Sequence, residues 1–351
     1  MIPLERLRSL TRSGEWLTWK IPFFLTAGLV VIHSSGRPLD WHIARQLVFV
    51  LVGMVVGAVF VSVVNDITDL EDDHRAGKVN RFHGMAAWKR NVILSISILA
   101  LMAFMLIGIQ DDLSRLFYLL ASLSFVVYSV PPFRMKKKGA WGGLGDAFGA
   151  SLFPTLFVAA QTGWVLGHEI PMAQIAAISV WSFMHGLRGI LWHQHRDRAF
   201  DEAIGSRTFT TENRLHTLRV IEPLIVMAEM FAFLFFAGRE MILLLLFLLS
   251  VHLVVVFLSQ VLLDVRHTMV VSSPDREQYM LYGSFYQIFC PAALILSISG
   301  LSTVSLFLLI LLFLLVLPDL RINYYLVKRM VYANREVREI LRRRDLRRLR
   351  A

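Results

Sequence analysis

The chain has 351 residues, of which 56% are hydrophobic, and it carries a formal net charge of +10. Its apolar residues come in blocks of membrane-spanning length, which excludes a soluble globular domain and predicts an all-α polytopic membrane protein. The single cysteine, Cys290, excludes an internal disulfide framework. Most of the net charge lies in residues 321–351, where eleven Arg or Lys accompany three Asp or Glu. Such a tail is typical of contact with anionic lipid headgroups, so nucleic acid is not an expected partner.

Ten apolar segments follow in chain order, and Lys and Arg concentrate in the loops after the even-numbered ones. This asymmetry predicts cytoplasmic termini and places the basic tail, 321–351, on the cytoplasmic side if all ten segments cross. Gly300 also allows the last two segments to form one bent helix, so the expected bundle has nine or ten transmembrane helices. We expect one domain, 1–320, in the cell (inner) membrane. The predicted spans are about 17–33, 44–64, 91–109, 113–130, 145–165, 173–192, 219–237, 241–263, 279–299 and 302–317.

An acidic stretch, Asn65-Asp66-Ile67-Thr68-Asp69-Leu70-Glu71-Asp72-Asp73, ends the second span. Carboxylates near a membrane are costly, so their placement there indicates a functional site. On a continuous helix Asp66, Asp69 and Asp73 would share one face and repel one another unless a cation neutralised them. Oxygen ligands without cysteine favour magnesium, which usually keeps positions for water and phosphate.

A second acidic motif lies 128 residues further on, at the end of the sixth span. Because both motifs end even-numbered spans, both are expected on the same side of the membrane. The spacing predicts two four-helix repeats, about 15–135 and 145–265, each with one carboxylate cluster. Two facing clusters can each hold a magnesium ion, with a diphosphate bridging the metals. The aligned pairs are Asn65 with His193, Asp69 with Asp197, Asp73 with Asp201, and Gly77 with Gly205.

Three motifs together resemble the UbiA-type intramembrane prenyltransferases. The first span-end motif is similar to the family's N-D-x-x-D-x-x-x-D, and the second to its D-x-x-x-D. The stretch Tyr128-Ser129-Val130-Pro131-Pro132-Phe133-Arg134-Met135-Lys136 is similar to the family's Y-S-x-P-P-x-[KR]-x-K segment. The resemblance covers about residues 15–300, whereas a tenth span, the basic tail and the His193-Gln194-His195 lead-in depart from it. It implies a helical bundle around a central cavity that holds two Mg²⁺ ions and a polyprenyl diphosphate at its cytoplasmic mouth.

The resemblance also implies roles for individual residues. Tyr128 would shield the allylic cation through its ring face, and His193 would serve either as a base for the acceptor or as a structural hydrogen-bond partner. Arg188, inside the sixth span, needs a buried anion, either the diphosphate or a carboxylate. The implied metal ligands are Asp66, Asp69 and Asp73 for one ion and Asp197 and Asp201 for the other. The implied diphosphate-site residues are Asn65, Lys78, Arg81, Arg134, Lys136 and Arg188.

The expected activity is transfer of a prenyl group from a polyprenyl diphosphate to a small acceptor, either an aromatic quinone precursor or a lipid-pathway intermediate. Two enzyme alternatives use a related site: a terpene cyclase, which traps the cation within its own chain, and phosphoribosyl transfer to a polyprenyl phosphate. A secondary transporter would place its carboxylates near the membrane midplane, often beside a broken helix. Both acidic motifs instead end their spans on the basic side, which favours the enzyme.

Overall fold

The computed structural model describes residues 13–317, apart from 76, 204, 264–265, 272–276 and 280. The predicted basic tail, 321–351, lies outside the described residues. The structure is mostly helical, with one short pair of parallel strands, β1 (Arg266–Thr268) and β2 (Glu277–Tyr279), in which Arg266 pairs with Glu277. In chain order the helices are α1 (Ser13–Ser34), α2 (Trp41–Thr68), α3 (Leu70–Arg75), α4 (Ala87–Gly108), α5 (Asp112–Ser129), α6 (Ala140–Leu166), α7 (Met172–Arg196), α8 (Arg198–Ala203), α9 (Phe209–Glu212), α10 (Leu215–Ala237), α11 (Arg239–Leu263), α12 (Cys290–Ser299) and α13 (Thr303–Leu317).

Seven helices in the described part of the chain are long and apolar enough to cross a membrane: α1, α2, α4, α6, α7, α10 and α11. The predicted fourth span is α5, which carries Asp112, Arg115 and four serines and is therefore less apolar. The predicted ninth and tenth spans form shorter apolar helices, Phe285–Ser299 and Thr303–Leu317. The count of nine or ten crossings therefore stays a prediction.

The helices differ sharply in how much of their surface the protein covers. About three quarters of the apolar windows of α1 and α6 are buried (72% each), compared with 17% of those of α4 and α11. Large apolar side chains on α11, such as Leu243 and Phe247, are exposed. Contiguous apolar surface of this kind marks contact with lipid, so α1 and α6 form the interior of the bundle while α4 and α11 lie at its periphery.

Helix α7, which carries the second acidic motif, lies close against α6. At Gly186 an added Cβ would come within 2.7 Å of the Ser151 Cβ and 3.1 Å of the Ala147 backbone. Small residues allow helix backbones to approach closely in membranes. The other side of α7 packs along α10, so the second motif projects from a helix held on two sides.

Candidate active site

The two acidic motifs adopt the same backbone geometry. Helix α2 ends at Thr68, and the Asp69 N–H donates to the Asn65 carbonyl at 2.9 Å. Helix α7 ends one residue before Asp197, whose N–H donates to the His193 carbonyl at 3.0 Å. A helix of six residues, α3 or α8, follows each cap. The predicted 128-residue correspondence is therefore present in the local structure of the motifs.

Each motif also closes with the same turn. The Lys78 N–H donates to the Asp73 carbonyl at 2.8 Å, and the Ser206 N–H donates to the Asp201 carbonyl at 2.8 Å. The glycine just before each donor has a positive φ, 65° in the first motif and 67° in the second. Glycine reaches this conformation without steric cost, which explains why both motifs place it four residues after the last aspartate. The equivalence of the complete four-helix repeats stays a prediction.

The first motif differs from the continuous helix that its spacing suggested. The helix is interrupted at Asp69, whose φ of −97° and ψ of −1° separate α2 from α3. Asp66 and Asp73 contact the loop before α4, whereas Asn65 and Asp69 contact the loop between α5 and α6. The three aspartates are thus divided between two sets of partners.

The loop between α5 and α6 supplies cations to one side of the first motif. Lys136 Nζ donates to the Asn65 Oδ1 at 3.0 Å and also binds Asp69 Oδ1. The Ser129 hydroxyl donates to the same Asn65 oxygen at 3.1 Å. Arg134 Nη2 donates to Asp69 Oδ1 at 3.1 Å. Burial lowers the pKa of Lys136, against the opposing effect of the Asp69 charge.

Asp72, which the motif spacing does not single out, binds the same loop. Its Oδ2 accepts from Arg134 Nη2 at 2.7 Å and lies 2.5 Å from Lys137 Nζ. Burial alone would raise the pKa of Asp72, but the hydrogen bond from Lys137 and the charges of Lys137 and Arg134 lower it. The buried Arg134 Nε has no hydrogen-bond partner among the described residues, so this guanidinium keeps one donor free for another anion.

The loop before α4 holds the other side of the first motif. Arg81 forms an ion pair with Asp66, whose side chain is only 7% exposed. Asn80 Nδ2 donates to the Asp66 carbonyl and to Asp73 Oδ2, both at 2.8 Å. Arg81 is therefore committed to Asp66 in the structure, and its predicted role at the diphosphate stays a prediction.

Lys78 connects the two motifs. Although it follows the first motif in the chain, its Nζ lies 3.7 Å from the Asp197 Oδ2 and 3.5 Å from the centre of the Phe200 ring. His193 Nε2 lies 3.9 Å from the same Asp197 oxygen. Burial and the neighbouring Asp197 charge raise the pKa of Asp201. The second motif is thus less fully paired with cations than the first.

Tyr128 lies in the last turn of α5. Its hydroxyl group is within electrostatic reach of Asp69 in the first motif, Asp201 in the second, and Asp146 on α6. Its ring packs beside Gly145, where an added Cβ would be 3.5 Å from the Tyr128 Cδ2. The charges of both acidic motifs thus reach this residue, and its predicted role at the allylic cation stays a prediction.

Arg188 lies away from this group, inside the bundle. Its Nε donates to Glu229 Oε2 at 2.6 Å and its Nη2 to Glu229 Oε1 at 2.9 Å. His185 Nδ1 lies 3.1 Å from Glu229 Oε1. Of the two buried anions considered for Arg188, the structure thus supplies the carboxylate. A direct contact between Arg188 and the diphosphate stays a prediction.

The oxygen atoms of the two acidic motifs are of the chemical type that binds magnesium. Both motifs offer carboxylate oxygens, and the first adds the amide oxygen of Asn65; these are hard ligands of the kind Mg²⁺ takes. In the part of the chain that the structure describes, no three His, Cys, Asp or Glu side chains are gathered closely enough to hold a metal ion. Arg81, Arg134 and Lys136 bind the carboxylates of the first motif.

The sequence did not single out two polar residues, each of which lies beside the last aspartate of one motif. Asn80 donates a hydrogen bond to Asp73. Thr208, 128 positions later, lies close enough to Asp201 to offset part of the rise in the pKa of that carboxyl that burial causes. Extending the alignment of the two motifs a few residues beyond the glycines would have paired these positions. The correspondence is not evident from residue type, because Asn80 carries an amide and Thr208 a hydroxyl.

In the described part of the chain, seven helices of membrane-spanning length and two matched acidic turns at helix ends define a polytopic helical protein with a paired carboxylate site. The sequence profile of the UbiA prenyltransferase family matches residues 21–274. The chain belongs to this family, whose members are membrane proteins. No curated protein matches the sequence.

Solved structures show the same fold. A UbiA homologue from Archaeoglobus fulgidus bound to GPP and Mg²⁺ is similar with a TM-score of 0.55 and 16% identity, covering 88% of this chain and 98% of that chain. A UbiA homologue from Archaeoglobus fulgidus bound to DMAPP and Mg²⁺ gives a TM-score of 0.55 and 18% identity, covering 88% of this chain and 98% of that chain. A UbiA homologue from the same organism bound to Cd²⁺ gives a TM-score of 0.54 and 18% identity, covering 81% of this chain and 96% of that chain.

Proposed function

We propose that this protein transfers a prenyl group from a prenyl diphosphate to a small acceptor within the membrane, with two Mg²⁺ ions at the acidic motifs. Membership of the UbiA prenyltransferase family supports the reaction class. The complexes of the Archaeoglobus homologue with GPP and DMAPP, each with Mg²⁺, support the donor and the metal. We further propose that the site opens to the cytoplasmic face of the cell membrane, with both termini and the basic tail on that side.

One observation carries the proposal: Lys78 links the two motifs. Its chain position assigns it to the first motif, yet its ammonium group contacts Asp197 and Phe200 of the second. Two acidic turns joined by a cation form a single site in which positive and negative groups alternate. A diphosphate with bound divalent metal ions has the same alternation of charge, which is why such a site suits it.

The proposed mechanism begins with departure of diphosphate from the prenyl C1. Mg²⁺ bound to Asp66, Asp69, Asp73, Asp197 and Asp201 would supply charge neutralisation for the leaving group. Arg134 has a free Nε donor for a diphosphate oxygen; Lys136 and Lys78 add positive charge on either side of the motifs. The Tyr128 ring stabilises the allylic cation through its π face. An acceptor then supplies the electron pair for the new bond to C1 and loses a proton.

Purified full-length protein in detergent tests this function. We expect Mg²⁺-dependent binding of geranyl S-thiolodiphosphate, an unreactive donor analogue, and its loss in Asp69→Asn and Asp197→Asn. The control is Asp112→Asn, which removes an exposed carboxylate paired with Arg115 outside the site. Binding that is independent of Mg²⁺, or equal in all four proteins, would contradict the proposal. With geranyl diphosphate alone, a cyclised hydrocarbon product would indicate the cyclase instead.

A further inference from the structure

A backbone contact joins the loop between α5 and α6 to the segment that follows the second acidic motif. The Gly139 N–H donates to the Arg207 carbonyl at 2.8 Å, and Gly139 pairs with Thr208 as an isolated parallel β-bridge. Gly139 and Thr208 are both buried. Together with Glu212, whose side chain covers the contact, these residues form what we call the interloop joint.

The interloop joint leaves no room for a side chain at Gly139. The φ of 55° and ψ of −122° at this residue form a conformation that favours glycine. An added Cβ would overlap Glu212 Oε2 and lie 3.0 Å from the Glu212 Cδ. Glu212 Oε1 also accepts from Arg207 Nε at 2.7 Å. One carboxylate therefore packs on the glycine and holds the residue whose carbonyl the glycine binds.

On one side, the interloop joint is connected to the first acidic motif through Lys136. This lysine lies three residues before Gly139, within the single 3₁₀ turn formed by Met135–Lys137. Its ammonium group donates to the Asn65 Oδ1 at 3.0 Å and also binds Asp69. Because the connecting chain is short and hydrogen-bonded, a displacement of Gly139 also displaces the ammonium group that contacts the first motif.

On the other side, the interloop joint is connected to the second acidic motif. The N–H of Ser206, the residue before Arg207, donates to the Asp201 carbonyl at 2.8 Å. The hydroxyl of Thr210, a fully buried residue of α9, donates to the Gln194 carbonyl near the end of α7 at 2.9 Å. The segment on this side of the joint is therefore fixed to the second motif at two points.

We propose that Gly139 and Glu212 are positioning residues for the diphosphate, because the interloop joint fixes the separation between Lys136 and the second motif. This inference rests on the proposed function. A diphosphate that contacts both motifs requires them at one separation, and a misplacement of about 1 Å can cost about 100-fold in rate. Lys78 also links the motifs, but through a long, partly exposed side chain, whereas the joint links them through buried backbone.

Binding of geranyl S-thiolodiphosphate with Mg²⁺ to purified full-length protein tests the interloop joint. Gly139→Ala should weaken this binding about tenfold, which is the effect of losing one hydrogen bond to a charged group. The matched control is Gly167→Ala, just beyond the other end of α6, where φ is also positive (60°) and nothing lies within 4 Å of the added Cβ. This control should bind the analogue as the wild type does.

A double-mutant cycle separates the positioning of Lys136 from a general loss of structure. In the Lys136→Gln background, Gly139→Ala should weaken binding by less than about twofold, because substitutions that act through the same contact are not additive. Glu212→Ala is a second, milder variant, since this side chain is partly exposed. It should weaken binding about threefold in the wild-type background, as expected for one neutral hydrogen bond, and leave binding unchanged in the Lys136→Gln background.

Wild-type affinity in both Gly139→Ala and Glu212→Ala would overturn the inference, and so would an equal loss in the wild-type and Lys136→Gln backgrounds. Melting temperatures show whether each variant is folded; if Gly139→Ala is not, the two Glu212→Ala measurements decide. Mg²⁺-dependent binding by the wild type together with either contrary result would overturn the positioning role alone. Failure of the wild type to bind the analogue would overturn the proposed function as well.

Discussion

Arg188 and Glu229 form a two-pronged ion pair, with distances of 2.6 and 2.9 Å, in which both side chains are completely buried. The pair joins α7 to α10, and His185, one turn before Arg188, contacts the same carboxylate. Removing one partner of such a pair leaves an uncompensated charge in the interior. The pair therefore fixes the position of the helix that carries the second acidic motif.

Glu229→Gln should destabilise the protein by about 3–5 kcal/mol, because Arg188 loses its buried counter-charge. Chemical unfolding in detergent, followed by tryptophan fluorescence, measures the change. The matched control, Glu71→Gln, removes the exposed partner of Arg75 and should cost at most about 1 kcal/mol. Equal stability of the two variants would show that the buried pair contributes little.

Neighbouring glycines on α6 should respond differently to alanine. At Gly142 an added Cβ would lie 3.0 Å from the Met135 carbonyl oxygen and 3.1 Å from the Lys136 Cα, whereas at Gly143 its nearest contact would be 3.9 Å from Leu187. Gly142→Ala should therefore cost about 1–3 kcal/mol and weaken donor binding by displacing Lys136. Gly143→Ala should keep wild-type stability and binding; a similar loss in both variants would contradict this explanation.

Asp72 should contribute to stability in a pH-dependent manner. Its pKa is lowered in the folded protein from 3.8, mainly because Lys137 and Arg134 outweigh the effect of burial. A lowered pKa gives a stabilisation that is complete above the unfolded-state value and is lost as the pH falls through the folded-state value. The difference in melting temperature between wild type and Asp72→Asn should thus be largest near pH 7 and shrink below pH 4. A difference that is constant from pH 7 to pH 3 would contradict this.

Lys78→Gln should weaken binding of geranyl S-thiolodiphosphate about tenfold, or about 1.4 kcal/mol, since the charge that joins the motifs is lost. Binding titrations at fixed Mg²⁺ concentration measure the effect. The control is Lys89→Gln, whose ammonium lies 5.5 Å from the Trp88 ring centre, outside the acidic motifs. If Lys78→Gln binds the analogue with unchanged affinity, Lys78 does not contribute to the donor site.

Much of the fold and part of the site were predictable from the sequence. Apolar length identified the membrane helices, and the two acidic motifs with the Tyr128–Lys136 segment indicated the family that the profile confirms. The break of the helix at Asp69 was not predictable, because helix spacing alone assumes a regular helix. The binding of Asp72 to Arg134 and Lys137 was also not predictable, because a motif defined by spacing says nothing about the residues between its key aspartates.

The sequence by itself determined which residues are candidates for the site, because span length, motif spacing and the 128-residue correspondence of the two motifs can be read from the chain alone. Only the tertiary structure decided which basic side chain pairs with which carboxylate. The positive-inside pattern places many Lys and Arg on one side of the membrane, so it does not distinguish Arg81, which binds Asp66, from Lys78, which reaches Asp197. Glu229, 41 residues from Arg188, became its partner through helix packing alone.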